Sequence, residues 1–154
     1  MDDVFERFTM TILTMSKLVQ KIKSLEMHKF GLKAVHVMCL YHLRARPEGL
    51  TASELCRRTL DDKAAISRAV AQLREAGYVQ GEAGRHNAPV TLTPAGRELA
   101  EYVMQRAARA VKAGSMDLSA EERRLFHAVL SGICGNLESY YRDLRRDGIL
   151  QEES

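Results

Sequence analysis

The stretch that leaves this chain the fewest options runs from Leu50 to Gly96. It opens on Thr51-Ala52-Ser53-Glu54, a capping box in which a hydroxyl and a carboxylate three residues apart satisfy two backbone donors reciprocally. Leu50 and Leu55 stand at the spacing of a hydrophobic staple, so a helix is expected from Ala52 to about Arg58. Thr59-Leu60-Asp61 interrupts it. Asp61 or Asp62 can then cap a second helix, DDKAAISRAVAQLREAG, in which Ile66, Val70 and Leu73 recur at i, i+4 and i+7 along one face. Gly77 supplies the left-handed residue that ends it. The periodicity then changes: Tyr78-Val79-Gln80 and Val90-Thr91-Leu92 are β-prone runs separated by GEAGRHNAP, a hairpin signal, with Pro89 confining its strand to an edge. Thr93 caps a further helix that has Pro94 at its first position, where the missing N–H costs nothing.

The second helix has two unlike faces. Opposite the apolar one stand Lys63, Ala64, Ser67, Arg68, Ala71 and Arg74, small side chains mixed with cations. Such a face allows a backbone to come close to a polyanion, and its dimensions suit a DNA major groove. The interruption before it is the short turn of a helix-turn-helix.

Helix, turn, helix, hairpin, helix is the order of a winged helix-turn-helix, and the combination resembles the MarR family of transcriptional regulators. The resemblance is carried by Asp62-Lys63-Ala64-Ala65-Ile66-Ser67-Arg68, by the run Leu73 to Val79 with its Ala76-Gly77-Tyr78, and by Leu92-Thr93-Pro94-Ala95-Gly96. With the long flanking helices it covers most of the chain. It implies a mainly α fold with a small β-hairpin wing and long N- and C-terminal dimerisation helices. It also implies a homodimeric repressor on a palindromic DNA operator, released by a small aromatic or anionic effector. Lys63, Ser67 and Arg68 would enter the major groove, with Ala64 and Arg74 beside them, while Arg85 and His86 approach the neighbouring minor groove. The wing departs from the family's pattern: an acidic residue usually precedes its arginines, whereas this chain has Gly84-Arg85-His86 in a shorter loop, and Glu82 would repel phosphate. A reduced contribution from the wing is expected.

At 154 residues, with 45% hydrophobic and 28% charged, the composition is that of one ordinary globular domain, and a net charge of +3 leaves the placement of the cations to carry the argument. Cys39, Cys56 and Cys134 share no metal-finger spacing, and their odd number argues against a disulfide framework, as a cytoplasmic protein would have. No run approaches the roughly 18 to 20 apolar residues of a membrane helix, and MDDVFERF is acidic rather than signal-like, so neither export nor a membrane partner is expected.

Outside the central stretch two long helices are expected. From Val4 to about Leu25, Phe5, Phe8, Ile12, Met15, Val19 and Ile22 alternate spacings of three and four, a coiled-coil-like stripe. From Ser119, which opens another capping box with Glu122, the stripe is Phe126, Leu130, Ile133, Leu137, Tyr141 and Leu144. A winged lobe cannot cover both, so Phe5, Phe8, Ile12, Phe126, Leu130, Leu137 and Tyr141 are assigned to a dimer interface. Leu32 to Ala45 is apolar nearly all round and should be buried on several sides. Pro94 to about Ala113, with Leu99, Val103 and Ala107 inward, would be a lever arm. The expected division is 1–30 as N-terminal dimerisation helix, 31–96 as the reading lobe (recognition helix about 62–76, wing about 78–93) and 94–154 as lever and C-terminal dimerisation helix, within a single structural domain.

Other chemistry is thinly represented. Met15, His36, Met38 and Cys39 are candidates for an effector pocket beside the middle helix, although Met at helical spacing commonly fills cores. A thiol- or metal-responsive variant of the same fold is the weaker alternative: the lever helix holds no His to complete a zinc set, and a buried Cys usually acts as a small hydrophobe. GxSxG, HExxH and P-loop motifs are missing, so no enzyme, catalytic residue, metal or cofactor is expected. The rival from another class is a helical interaction dimer with weak or lost DNA binding, favoured by the acid pair Asp61-Asp62 and the reduced wing.

Overall fold

The computed structural model describes residues 2–81 and 88–152, and of Asp2, Phe5 and residues 147–152 the backbone alone. The elements run α1 (Asp2–His28), α2 (Ala34–Arg44), α3 (Ala52–Thr59), α4 (Lys63–Glu75), β1 (Val79–Gln80), β2 (Thr91–Leu92), α5 (Pro94–Gly114) and α6 (Ala120–Glu152). Among the described residues, six helices and a two-stranded antiparallel sheet make the mainly α winged fold that the sequence implies. Contacts group the chain into two compact units, Met1–Arg109 and Ala110–Ser154, divided inside α5. No helix among the described residues is long and apolar enough to cross a membrane.

The core lies in the first unit and is organised by α2, which packs against α1, α3, α4 and β2. His36, Val37, Cys39, Leu40 and Leu43 are buried along it, which is why its sequence shows no polar face. Around them close Leu55 from α3, Ile66, Ala69, Val70 and Leu73 from α4, and Leu99, Ala100 and Val103 from α5. Ala107, one turn further along α5, is exposed, because the core ends at Val103.

The local signals set the element ends. Thr51 Oγ1 accepts from the Glu54 N–H at 3.2 Å while the Glu54 carboxylate accepts from the Thr51 N–H at 2.8 Å, closing the capping box of α3. Asp62, not Asp61, caps α4: its carboxylate accepts from the Ala65 N–H at 2.7 Å. At the other end Gly77 (φ 78°) lets the Tyr78 N–H reach the Leu73 carbonyl at 2.8 Å and its own N–H the Arg74 carbonyl at 3.0 Å, a Schellman closure. Thr93 joins the hairpin to α5, its hydroxyl donating to the Gly77 carbonyl at 2.7 Å and accepting from the Gly96 N–H at 3.0 Å. Gly96 is required there, since a methyl group in its place would overlap the Tyr78 carbonyl oxygen.

In the hairpin Val79 faces Leu92 and Gln80 faces Thr91. The strand after Pro89 is not an edge: Leu50 bridges Val90 on its other side, with N–H···O distances of 3.0 and 2.9 Å. Pro89 is tolerated because the ladder begins one residue later and asks no N–H of it. The expected wing tip, with Glu82, Arg85 and His86, lies outside the described residues.

Two ion pairs fasten α5 within the first unit. Arg106 grips Glu26 of α1 through Nε at 2.8 Å and Nη2 at 2.5 Å, and Arg44 of α2 grips Glu101 at 2.6 and 3.1 Å. Tyr102 adds a hydroxyl to Glu26 at 3.2 Å and packs edge-on against Phe30, centroids 5.4 Å apart. The Arg106 hydrogen bonds hold the Glu26 carboxyl below the usual carboxylate range.

Candidate nucleic-acid interface

Helix α4 divides as its periodicity requires. Ile66, Ala69, Val70 and Leu73 are buried, and Lys63, Ala64, Ser67, Arg68 and Ala71 are exposed. Thus four of the residues assigned to DNA lie on one outward face, with the cations Lys63 and Arg68 towards the start of the helix. Arg74 is different. It is half-buried, and its Nε is enclosed with no hydrogen-bond partner among the described residues.

Of the acid pair that seemed to disfavour a polyanion, the Asp62 carboxylate has a structural task, whereas the hydrogen bonds of Asp61 among the described residues run through its backbone. Asp62 is occupied by the α4 cap, and the Asp61 carbonyl accepts a hydrogen bond from the Cys56 thiol at 3.0 Å. Arg57 and Arg58 add exposed cations on α3, which packs against α4. Their sequence signal is Cys56-Arg57-Arg58-Thr59, which lies on the helix before the turn, outside the face that the α4 period marks.

The four residues considered for an effector differ in their exposure. His36 and Cys39 are fully enclosed at 0% exposure, Met38 is half-buried, and Met15 is exposed on α1. His36 Nδ1 lies 2.8 Å from the Lys33 N and 3.0 Å from the Lys33 carbonyl oxygen, while its enclosed Nε2 has no hydrogen-bond partner among the described residues. Burial pushes the His36 imidazole below its ordinary pKa and the Cys39 thiol up to about 12. Cys39 is therefore a protonated core thiol, a poor nucleophile. Among the described residues no group of three or more His, Cys, Asp or Glu stands close enough to hold a metal ion. The concavity along α1, lined by Lys17, Gln20, Lys21, Ser24, Leu25 and His28, is an open surface and includes none of these four.

The residues assigned to an interface between copies present apolar surface within each unit. On α1 Phe8 is exposed and Ile12 half-buried, flanked by exposed Leu13, Met15, Leu18, Val19 and Ile22. On α6 Phe126, Leu137 and Tyr141 are exposed and Leu130 half-buried. The Phe5 side chain lies outside the described residues.

The fold has close counterparts. A MarR protein from Peptoclostridium difficile superposes with a TM-score of 0.78 at 21% identity, over 89% of this chain and 91% of that one. A MarR transcriptional regulator from Methanosarcina mazei Go1 gives 0.77 at 19% identity, over 87% and 91%. A MarR family regulator from Listeria monocytogenes, complexed with 26mer DNA, gives 0.78 at 14% identity, over 90% and 93%. No curated protein matches the sequence. At these identities the structural likeness establishes the fold. The sequence itself matches the MarR family model over residues 30–88, from the end of α1 through α2, α3, α4 and β1. The chain is thus similar to the MarR family over residues 30–88, and its fold is the winged helix-turn-helix fold of the MarR family structures it superposes on.

Proposed function

We propose that the chain is a sequence-specific DNA-binding transcriptional repressor that acts as a homodimer on a palindromic operator. The observation that carries the reading is the division of α4: an apolar side locked into the core, and an outward side of Lys63, Ala64, Ser67 and Arg68. Its small residues permit close approach, and its cations match phosphates and the acceptor edge of guanine. The likeness in fold to a Listeria regulator complexed with DNA supports the same direction. In this reading Arg85 and His86 reach the neighbouring minor groove. The exposed apolar stripes of α1 and α6 meet their counterparts in a second copy, setting two reading helices about one DNA turn apart.

Release by a small aromatic or anionic effector completes the proposal. Such a molecule meets Met15 and Met38 first, and reaches the enclosed His36 and Cys39 only by parting α2 from its neighbours. Because α2 packs on α1, α3 and α4, a wedge there couples the first helix to the reading helix. The test is selection of duplexes from a random pool by the purified protein, followed by binding of the selected sequence at several salt concentrations. Enrichment of an inverted repeat supports the reading. Failure to retard any duplex at low salt leaves the rival, a helical interaction dimer without DNA binding.

A further inference from the structure

Leu60 is where the described backbone departs furthest from what its side chain prefers. It caps α3 at φ 62°, ψ 18°, the one non-glycine residue with positive φ among those described. Left-handed backbone crowds a Cβ against the following carbonyl oxygen, so leucine is strained there. The fold gives its side chain nothing in return, for Leu60 is 94% exposed. Its neighbours hold the turn instead: the Cys56 thiol donates to the Asp61 carbonyl at 3.0 Å, the Asp61 N–H to Thr59 Oγ1 at 3.4 Å, and the Ala65 N–H to the Asp62 carboxylate at 2.7 Å. Glycine or asparagine would make the same turn with less strain and no exposed apolar surface. Strain and exposure at one residue point to a role outside the fold.

The surroundings say which role. Leu60 stands two residues ahead of the α4 cap, beside the end of the helix that carries Lys63 and Ala64 outward, with exposed cations Arg57 and Arg58 just before it. Resting on the reading of α4 as a major-groove helix, we propose that Leu60 is a specificity residue that contacts the C5-methyl group of a thymine in each half-site. That methyl is the one apolar feature on the major-groove edges of the four bases, and a leucine can recognise it without a hydrogen bond. Arg57 and Arg58 before it are placed to bind phosphate of any sequence; Leu60 discriminates.

The test uses a duplex selected by the full chain, in which each thymine is replaced in turn by deoxyuridine, removing the methyl and leaving the hydrogen-bonding edge intact. The wild-type protein should lose about fourfold in affinity at one thymine of each half-site, the worth of one buried methyl. Leu60→Gly and Leu60→Asn, both suited to left-handed backbone, should bind the unmodified duplex about fourfold more weakly, the same loss of one methyl contact. They should keep the wild-type salt slope, ignore that deoxyuridine, and melt at or above the wild-type temperature. Variants that bind as tightly as wild type, or that respond to every deoxyuridine as wild type does, overturn the assignment while leaving the DNA reading standing. A wild-type protein that binds no duplex overturns both.

Discussion

Lys63 and Arg68 occupy the exposed side of α4 while Ile66 and Val70, on turns between and beyond them, are buried, so each cation can be removed without touching the core. Lys63→Ala and Arg68→Ala should therefore melt like wild type yet bind the selected duplex more weakly. A base-edge contact is worth about 1–3 kcal/mol and is lost for the matching base alone, whereas a lost phosphate contact weakens all sequences and lowers the salt slope by about one unit. Titrations at several salt concentrations separate the two, and variants equal to wild type would remove both residues from the interface. Gly96 makes the opposite kind of prediction. Gly96→Ala forces a methyl into the Tyr78 carbonyl and should cost about 1–3 kcal/mol in urea denaturation, the range for overpacking; an unchanged midpoint would mean that α5 does not press on the Tyr78 backbone as described.

Elements declare themselves where a local interaction ends them. The capping boxes at Thr51 and Ser119, an acid cap on α4 narrowed to Asp61 or Asp62, and the Gly77 closure are legible in the sequence, because each joins residues within a few positions of one another. The Leu50–Val90 bridge and the Glu26–Arg106 and Arg44–Glu101 pairs are not, since they join residues far apart in sequence through the packing of several elements. For the same reason α4's outward face could be read from its period, whereas the enclosure of His36 and Cys39 depended on which helices surround α2. Thr51→Ala should cost about 1 kcal/mol of stability, measured by urea denaturation, through loss of the α3 cap; no change would show that the box contributes nothing. The Glu26–Arg106 pair predicts a pH dependence. Glu26's folded pKa is lowered, first by the Arg106 hydrogen bonds, so its contribution is fully present above the ordinary value of 4.5 and is lost as pH falls through the lowered folded value. Denaturation midpoints of wild type should fall in that acid window more steeply than those of Glu26→Gln, and parallel curves would contradict the pair's role.

For the molecule as a whole, the exposed apolar stripes of α1 and α6 are more than a monomer is expected to leave in water. Ile12→Glu combined with Leu137→Glu puts carboxylates on both stripes, and desolvating unpaired charges costs several kcal/mol, enough to keep two copies apart. Such a variant should sediment as a monomer and lose most specific affinity with its reading helix intact; one that stays dimeric and binds normally would reject the assigned interface. In the proposed complex, two copies read one operator through paired α4 helices. Sedimentation velocity of the wild-type chain mixed with its selected duplex tests that most directly. The predicted result is one complex of two chains per duplex, formed from a free protein that already sediments as a dimer at micromolar concentration. A free monomer that binds one chain per duplex, or DNA whose sedimentation the protein leaves unchanged, would contradict it.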